Sequence, residues 1–233
     1  MATGFYDANG IWNYGESDNI APFSDTLNKL ADSTSDAFTS DRARLGTLEA
    51  GSLSGLIPLA PGSVVVASGS AAVNSLGAVT VTNCTSAEIR YIFSGTYTNY
   101  RVLFSEINSA ASADYNFNIM NGTSVISSGY YYSGTVVDGA SSATLNFAGA
   151  SNQICGTASD SGDKGAWNME VIQPYLAAQR TKLMGRSYGW TGTANKTLVL
   201  NGHVGSGLAD GFRISKAGGT TFSAFIQVFG YND

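Results

Sequence analysis

The sequence predicts a mainly β protein, an antiparallel jelly-roll-like β-sandwich preceded by one N-terminal helix and an irregular segment. Three observations carry this. Bulky residues alternate with a period of two: Tyr115, Phe117 and Ile119 against Asn116, Asn118 and Met120, and Tyr100, Val102 and Phe104 against Arg101, Leu103 and Ser105. After Leu48 no helical pattern of ten residues occurs, while short strand-like runs recur between turns rich in Gly and Ser. Charged residues make up only 12%, about half the usual share, with 43% apolar residues and 28 glycines, a composition that can fill a core and turn tightly.

Residues 1–22 carry Phe5, Tyr6, Trp12 and Tyr14 among Gly, Asn and acids, without periodicity. Such a segment makes no core of its own, so its aromatics are expected to dock on a partner surface. Residues 23–48 read as a helix. Ser24 is placed to N-cap it, Asp25 sits at its positive end, and Phe23, Leu27, Leu30, Thr34, Phe38, Asp41, Leu45 and Leu48 recur at alternating spacings of four and three. Thr34 and Asp41 interrupt the stripe, which fits a trimeric coiled coil or a lone amphipathic helix lying on a neighbouring subunit. Residues 49–62 form a linker, loosened by Gly51 and Gly55 and stiffened by Pro58 and Pro61.

The sandwich is expected over residues 63–233, with strands at 63–67, 78–83, 88–93, 100–107, 115–120, 130–133, 143–147, 167–173, 182–188, 197–202, 211–215 and 221–231. Asn121-Gly122 signals a tight hairpin. The last run is apolar on both sides, as expected of a central strand covered on both faces. Charge separates the two parts of the chain. Residues 1–50 hold eight acids and three bases, the whole net charge of −5, while the remainder holds nine of each. No basic excess of the kind that neutralises phosphates is present, which argues against nucleic-acid binding.

No catalytic motif survives a check of its context. Gly185-Arg186-Ser187-Tyr188-Gly189 matches the G-x-S-x-G nucleophile elbow. The strand–turn–helix setting and an acid before the histidine are both missing. His203, the only histidine, reads as part of a turn, and a lone His builds no His-based zinc site. Cys84 and Cys155 lack metal-ligand spacing and make no disulfide framework. Asp160 and Asp163 lie in a Gly/Ser loop without EF-hand spacing. Glu88, Glu106, Asp114, Asp138 and Glu170 are the acids available for a glycosidase pair, and sequence cannot pair them. No cofactor is expected. Tyr130, Tyr131, Tyr132 and Trp190 are candidates for ligand or subunit contact, although core packing is the commoner role for such rings. No membrane span is long enough, and no secretory signal opens the chain, so synthesis in a cytoplasm is expected.

Two stretches resemble the tail-fibre or receptor-binding type of minor structural protein in tailed bacteriophages. In residues 11–38, Trp12, Asp18, Asn28, Leu30 and Ala31 fit an N-terminal pattern of aromatic start, acidic turn and helix. In the sandwich, Phe93, Tyr97, Tyr100 and Val102 fit a phrase preceding a core strand, and Val228, Gly230 and Tyr231 fit the closing strand. The resemblance implies a homotrimer on the virion surface, anchored to other virion proteins through residues 1–22, with a β-sandwich tip that meets a host-surface glycan or protein. It implies no catalytic residues. The chain lacks a long shaft, so a short spike, or a capsid or tail decoration protein without receptor binding, are both consistent with it; a glycan depolymerase is the remaining alternative.

Overall fold

The computed structural model describes residues 4–6, 8, 12–14, 55–109, 114–139, 141–157, 164–190 and 195–232. The chain divides into two units, Met1–Ser54 and Gly55–Asp233. In the first, β1 (Gly4–Tyr6) and β2 (Trp12–Tyr14) pair antiparallel, with Gly4 opposite Tyr14 and Tyr6 opposite Trp12. Phe5, Tyr6, Trp12 and Tyr14 therefore share one small hairpin, in a segment whose strands are too short to display an alternation. The expected helix of residues 23–48, with Phe23, Leu27, Leu30, Phe38, Leu45 and Leu48, lies outside the described residues.

The second unit is a sandwich of two antiparallel sheets. The smaller runs, in spatial order, β10 (Ser124–Val125), β9 (Asp114–Asn121), β17 (Gly211–Lys216), β7 (Ser86–Arg90) and β4 (Ser63–Ala67), with β13 (Gln153–Thr157) also paired to β9. The larger runs β12 (Ser141–Ala150), β11 (Tyr130–Asp138), β16 (Asn195–Ser206), β15 (Arg180–Trp190), β14 (Gly165–Ile172), β8 (Asn99–Ser109), β18 (Phe222–Tyr231), β6 (Val79–Cys84) and β5 (Ser70–Val73). A further strand, β3 (Ile57–Leu59), lies in the stretch read as the linker and pairs with the end of β18. The chain passes repeatedly between the sheets. The strands β8 and β9, for instance, fall in different sheets and do not pair with each other.

Period-two alternation aims one side of each strand into a shared core. Tyr100, Val102 and Phe104 from the large sheet meet Tyr115, Phe117 and Ile119 from the small one, and all six are at most 1% exposed. The contact between the sheets is aromatic: Tyr115 meets Trp167 at 4.6 Å between ring centroids and Phe104 meets Phe212 at 6.1 Å, while within the small sheet Phe117 stacks on Phe212 at 5.0 Å. Phe104 lies 5.3 Å from Trp167. A bulge in β8 keeps the alternation useful. Both neighbours of β8 skip a residue there, Glu106 adopts φ +53°, and Ile107 returns to the core. Gly156 lets the Trp167 indole pass, since a Cβ at that position would sit 2.0 Å from the ring. Gly122, at φ +59°, turns the hairpin between β9 and β10 that Asn121-Gly122 signals.

Loops are pinned by buried polar contacts. The Tyr100 hydroxyl accepts from the Ser94 N–H at 2.7 Å and donates to the Ser94 carbonyl at 2.6 Å. The Asp210 carboxylate accepts from the Gly122 N–H at 2.9 Å, while its carbonyl accepts from the N–H groups of Ile92 and Phe93. Cys84 and Cys155 are both buried and unbridged. Burial pushes the Cys84 thiol up to about 11, and it also raises that of Cys155.

Candidate functional site

The outer face of the large sheet carries the candidate site. On β15 the residues Thr181, Leu183 and Ser187 are buried or inward, while Arg180, Lys182, Met184, Arg186 and Tyr188 are exposed. Three shallow depressions follow this outward row. One of about 480 Å³ is lined by Arg180, Lys182, Met184, Asn201 and His203. The next, about 290 Å³, shares Met184 and Asn201 with it and adds Asn168 and Arg186. The third, about 540 Å³, shares Asn168 and Arg186 and adds Leu103 and Tyr188. Together they make one trough along β15. The eight residue steps from Arg180 to Tyr188 correspond to roughly 26 Å of strand.

Strand register explains which side chains face the trough. Lys182 lies opposite His203, Met184 opposite Asn201, Arg186 opposite Val199 and Tyr188 opposite Thr197 on β16. On β14, Asn168 lies opposite Arg186 and Glu170 opposite Met184. Tyr131 on β11 is the cross-strand neighbour of His203, and their rings stack with centroids 5.2 Å apart and 17° between planes. Arg180 Nη1 approaches His203 Nε2 at 2.9 Å, and burial together with the Arg180 charge holds the imidazole pKa below its ordinary value. The Tyr188 hydroxyl donates to Asn195 Oδ1 at 2.6 Å.

The acid on this face is already neutralised. Glu170 accepts from the Arg101 guanidinium of β8, and its other oxygen accepts from the Tyr231 hydroxyl at 2.7 Å. Arg180, Lys182 and Arg186 have no carboxylate partner among the described residues. The trough is thus cationic, with planar amides and guanidinium groups between two aromatic ends. Tyr131 is 46% exposed and Tyr188 50%. Such a surface can stack on sugar rings, hydrogen-bond hydroxyls and attract acid groups.

The sequence candidates separate in the structure. Tyr130 is fully buried; its hydroxyl accepts from the Ile119 N–H at 2.8 Å and donates to the Ile126 carbonyl at 3.0 Å. Tyr132 is buried and stacks on Phe147 at 4.7 Å. Only Tyr131 of the three reaches the outer face. Trp190 closes β15 opposite Asn195. His203 corrects its sequence reading: it lies within β16, not in a turn. The neighbouring Gly202 serves close approach instead, since a Cβ there would fall 2.5 Å from that of Tyr132. The G-x-S-x-G match runs straight along β15 with Ser187 buried against the core side, so no elbow forms. The five acids considered for a glycosidase pair are dispersed. Glu88 pairs with Arg90, Glu106 with Lys164 and Asp114 with Lys196, Asp138 ends β11, and Glu170 alone lines the trough. Asp160 and Asp163 lie outside the described residues. No group of three His, Cys, Asp or Glu able to hold a metal occurs among the described residues. No helix among them is long and apolar enough to cross a membrane. Lys182, Arg186 and Asn201 were absent from the sequence candidates. The visible signal for Lys182 and Arg186 is the alternation K-L-M-G-R-S-Y, which puts Lys, Met, Arg and Tyr on one side of a strand; Asn201 carries none.

No protein-family model matches the chain, and neither does any curated protein. Two solved structures resemble it weakly. A protein of unknown function from Shewanella oneidensis MR-1 shares 16% identity and a TM-score of 0.31, over 74% of this chain and 77% of that one. An alginate lyase shares 8% identity and a TM-score of 0.27, over 74% of this chain and 95% of that one. At these scores neither likeness carries over a fold or an activity.

Proposed function

We propose that the protein is a bacteriophage virion structural protein of the short tail-fibre or spike type, whose β-sandwich binds a host-surface glycan without cleaving it. The observation that carries the binding role is the cationic, aromatic-ended trough along β15, whose Arg180, Lys182 and Arg186 lack acid partners among the described residues. The virion role rests on the resemblance of residues 11–38 and of the sandwich phrases. In this reading the sandwich is jelly-roll-like, residues 23–48 assemble a homotrimer, and the hairpin bearing Phe5, Tyr6, Trp12 and Tyr14 docks on other virion proteins. The test is binding of the purified full chain to polysaccharides extracted from candidate host surfaces, by biolayer interferometry. The double variant Arg186→Ala/Tyr188→Ala is expected to lose at least tenfold in affinity with an unchanged melting temperature. Undiminished binding by that variant removes the trough from the reading.

A decoration protein without receptor binding is the second reading, and one observation favours it. Strand β12 is an edge strand whose ten residues, Ser141–Ala150, include no charge and no proline and are largely exposed on both sides. Unprotected edges of this kind offer backbone groups to a neighbouring chain.

A further inference from the structure

The two ends of the trough differ. Its Tyr188 end is lined mainly by apolar side chains, Leu103 and Tyr188 among them, whereas its other end gathers Arg180, Lys182 and His203 around one depression. We infer that this second end seats the acid group of an anionic glycan, a carboxylate or a sulfate, and that His203 makes the seat tighten as pH falls. The inference rests on the glycan-binding reading and adds to it the ligand's charge and its control.

Charge and geometry carry the anion. Arg180 and Lys182 stand on β15, Lys182 directly across from His203, and the depression they line contains no carboxylate among the described residues. Glu170, the acid of this face, is engaged by Arg101 and Tyr231 on the far side of β15. A guanidinium and an ammonium converging on one space form charge-assisted hydrogen bonds with an acid group, stronger than those to neutral hydroxyls.

Hydrogen-bond chemistry carries the control. A guanidinium only donates, so an Arg180 Nη1 at 2.9 Å from Nε2 requires that nitrogen to accept. His203 is therefore neutral in this arrangement, with its proton on Nδ1. The groups around the ring are Arg180 and Lys182 from β15, Tyr131 stacked from β11, and Asn201 and Gly202 along β16. All are cationic or uncharged at neutral pH, and the two cations among them disfavour the imidazolium until an anion arrives. Protonation of Nε2 breaks the contact with Arg180, frees that guanidinium to turn to the ligand, and adds a third positive charge beneath it. The Tyr131 face is well placed to stabilise the imidazolium. Binding and protonation are thus linked, each favouring the other.

The experiment uses the full chain with hexagalacturonate, dextran sulfate and cellohexaose, by calorimetry at pH 7.5 and pH 5.0. Uronate carboxyls, like α-carboxyls, titrate at about 3.5, so the ligand keeps its charge over this range. Binding of hexagalacturonate is expected to tighten about tenfold at the lower pH, the effect of one added charge-assisted contact. Cellohexaose is expected to bind at least tenfold more weakly than the acidic ligand. The dextran sulfate arm tells sulfate from carboxylate. Arg180→Ala is expected to weaken acidic ligands at both pH values, and His203→Gln, which keeps an acceptor for Arg180, to abolish the tightening alone. A variant-free reading is available because the chain has a single histidine: its NMR titration should move to higher pH when acidic ligand is bound. Acidic ligand bound equally at both pH values, with an unmoved histidine titration, overturns the inference and leaves glycan binding standing. Cellohexaose bound as tightly as the acidic ligands overturns it as well. Absence of binding to any glycan, acidic, neutral or host-derived, removes the underlying reading too.

Discussion

The body of the sandwich and the wing formed by β11 and β12 are built from the same strands but held by different physics. In the body, β8, β14 and β18 press Phe104, Trp167 and Phe222 against Tyr115 and Phe212 from the opposite sheet. In the wing, β11 starts buried at Tyr130 and Tyr132, and from Ser133 onwards each residue is half-buried or exposed. Its partner β12 has only Leu145 and Ala150 half-buried, and nothing fully buried. The ladder between the two runs from Tyr132 to Asp138 without a break. Strand pairing with a few half-buried contacts, Val136, Leu145 and Ala150 against the core and Phe147 on Tyr132, therefore holds the wing, whereas full apolar burial stabilises the body. A single layer kept uncharged along ten residues gains little from its own chain, which points to its use as a surface for other chains.

Five measurements sharpen or break this contrast, in falling order of expected effect. Phe104→Ala in the body is expected to cost about 3–5 kcal/mol in urea unfolding, through lost burial and the cavity left beside Trp167. A loss below about 1 kcal/mol would mean the two regions are stabilised alike. Alkali comes next. Tyr130 sits where the body becomes the wing, and burial pushes its phenol up to about 12. The folded state then holds a proton that the unfolded chain releases from about pH 10, so stability is full below that pH and falls as pH rises toward 12. The expected loss is about 2–3 kcal/mol, and Tyr130→Phe should remove that part of the slope. Gly156→Ala should cost about 1–3 kcal/mol, because its Cβ would strike the Trp167 indole and force it off a packed position. Wild-type stability in that variant would show that the indole has room to move.

The wing is expected to respond weakly. Phe147→Ala removes the stack with Tyr132 and should cost about 1 kcal/mol. Thr144→Lys, on the exposed edge strand, should change stability by less than about 0.5 kcal/mol. If β12 pairs with another copy, that lysine lowers the solution mass of the full chain by light scattering. An unchanged multimeric mass would assign assembly to another part of the chain.

Much of this body was legible from alternation, and little of the site was. Each of the twelve runs read as strands overlaps a strand, in most cases because inward Tyr, Phe, Ile and Val repeat at period two over enough residues to be seen; the exposed β12 is the exception. Three of the strands missed in the sandwich show where the signal fails. Ile57–Leu59 contains Pro58, Ser70–Val73 is made of small residues exposed throughout, and Gln153–Thr157 carries a bulge at its centre. The trough was invisible for a different reason. Lys182, His203 and Tyr131 become neighbours only because β15, β16 and β11 lie side by side, and that order is a property of the topology. Glycine misled the reading of His203, since Gly202 and Gly205 imitate a turn where Gly202 admits the close approach of β11 at the Tyr132 Cβ and the Tyr131 carbonyl.

Strand β18 has a consequence for how the protein is made. It is the last strand of the sandwich in chain order, yet it lies inside the large sheet, hydrogen-bonded to β8 on one side and to β6 and β3 on the other. Until residues 222–231 leave the ribosome, the sheet exists as two pieces with no shared ladder, and Val79, Val81, Val102 and Phe104 lack their central neighbour. Closure joins residue 57 to residue 230, so nearly the whole sandwich must be synthesised before its ends meet. Folding of this domain is therefore a late, slow event dominated by long-range pairing, and the nascent chain needs shelter from aggregation until its final strand arrives.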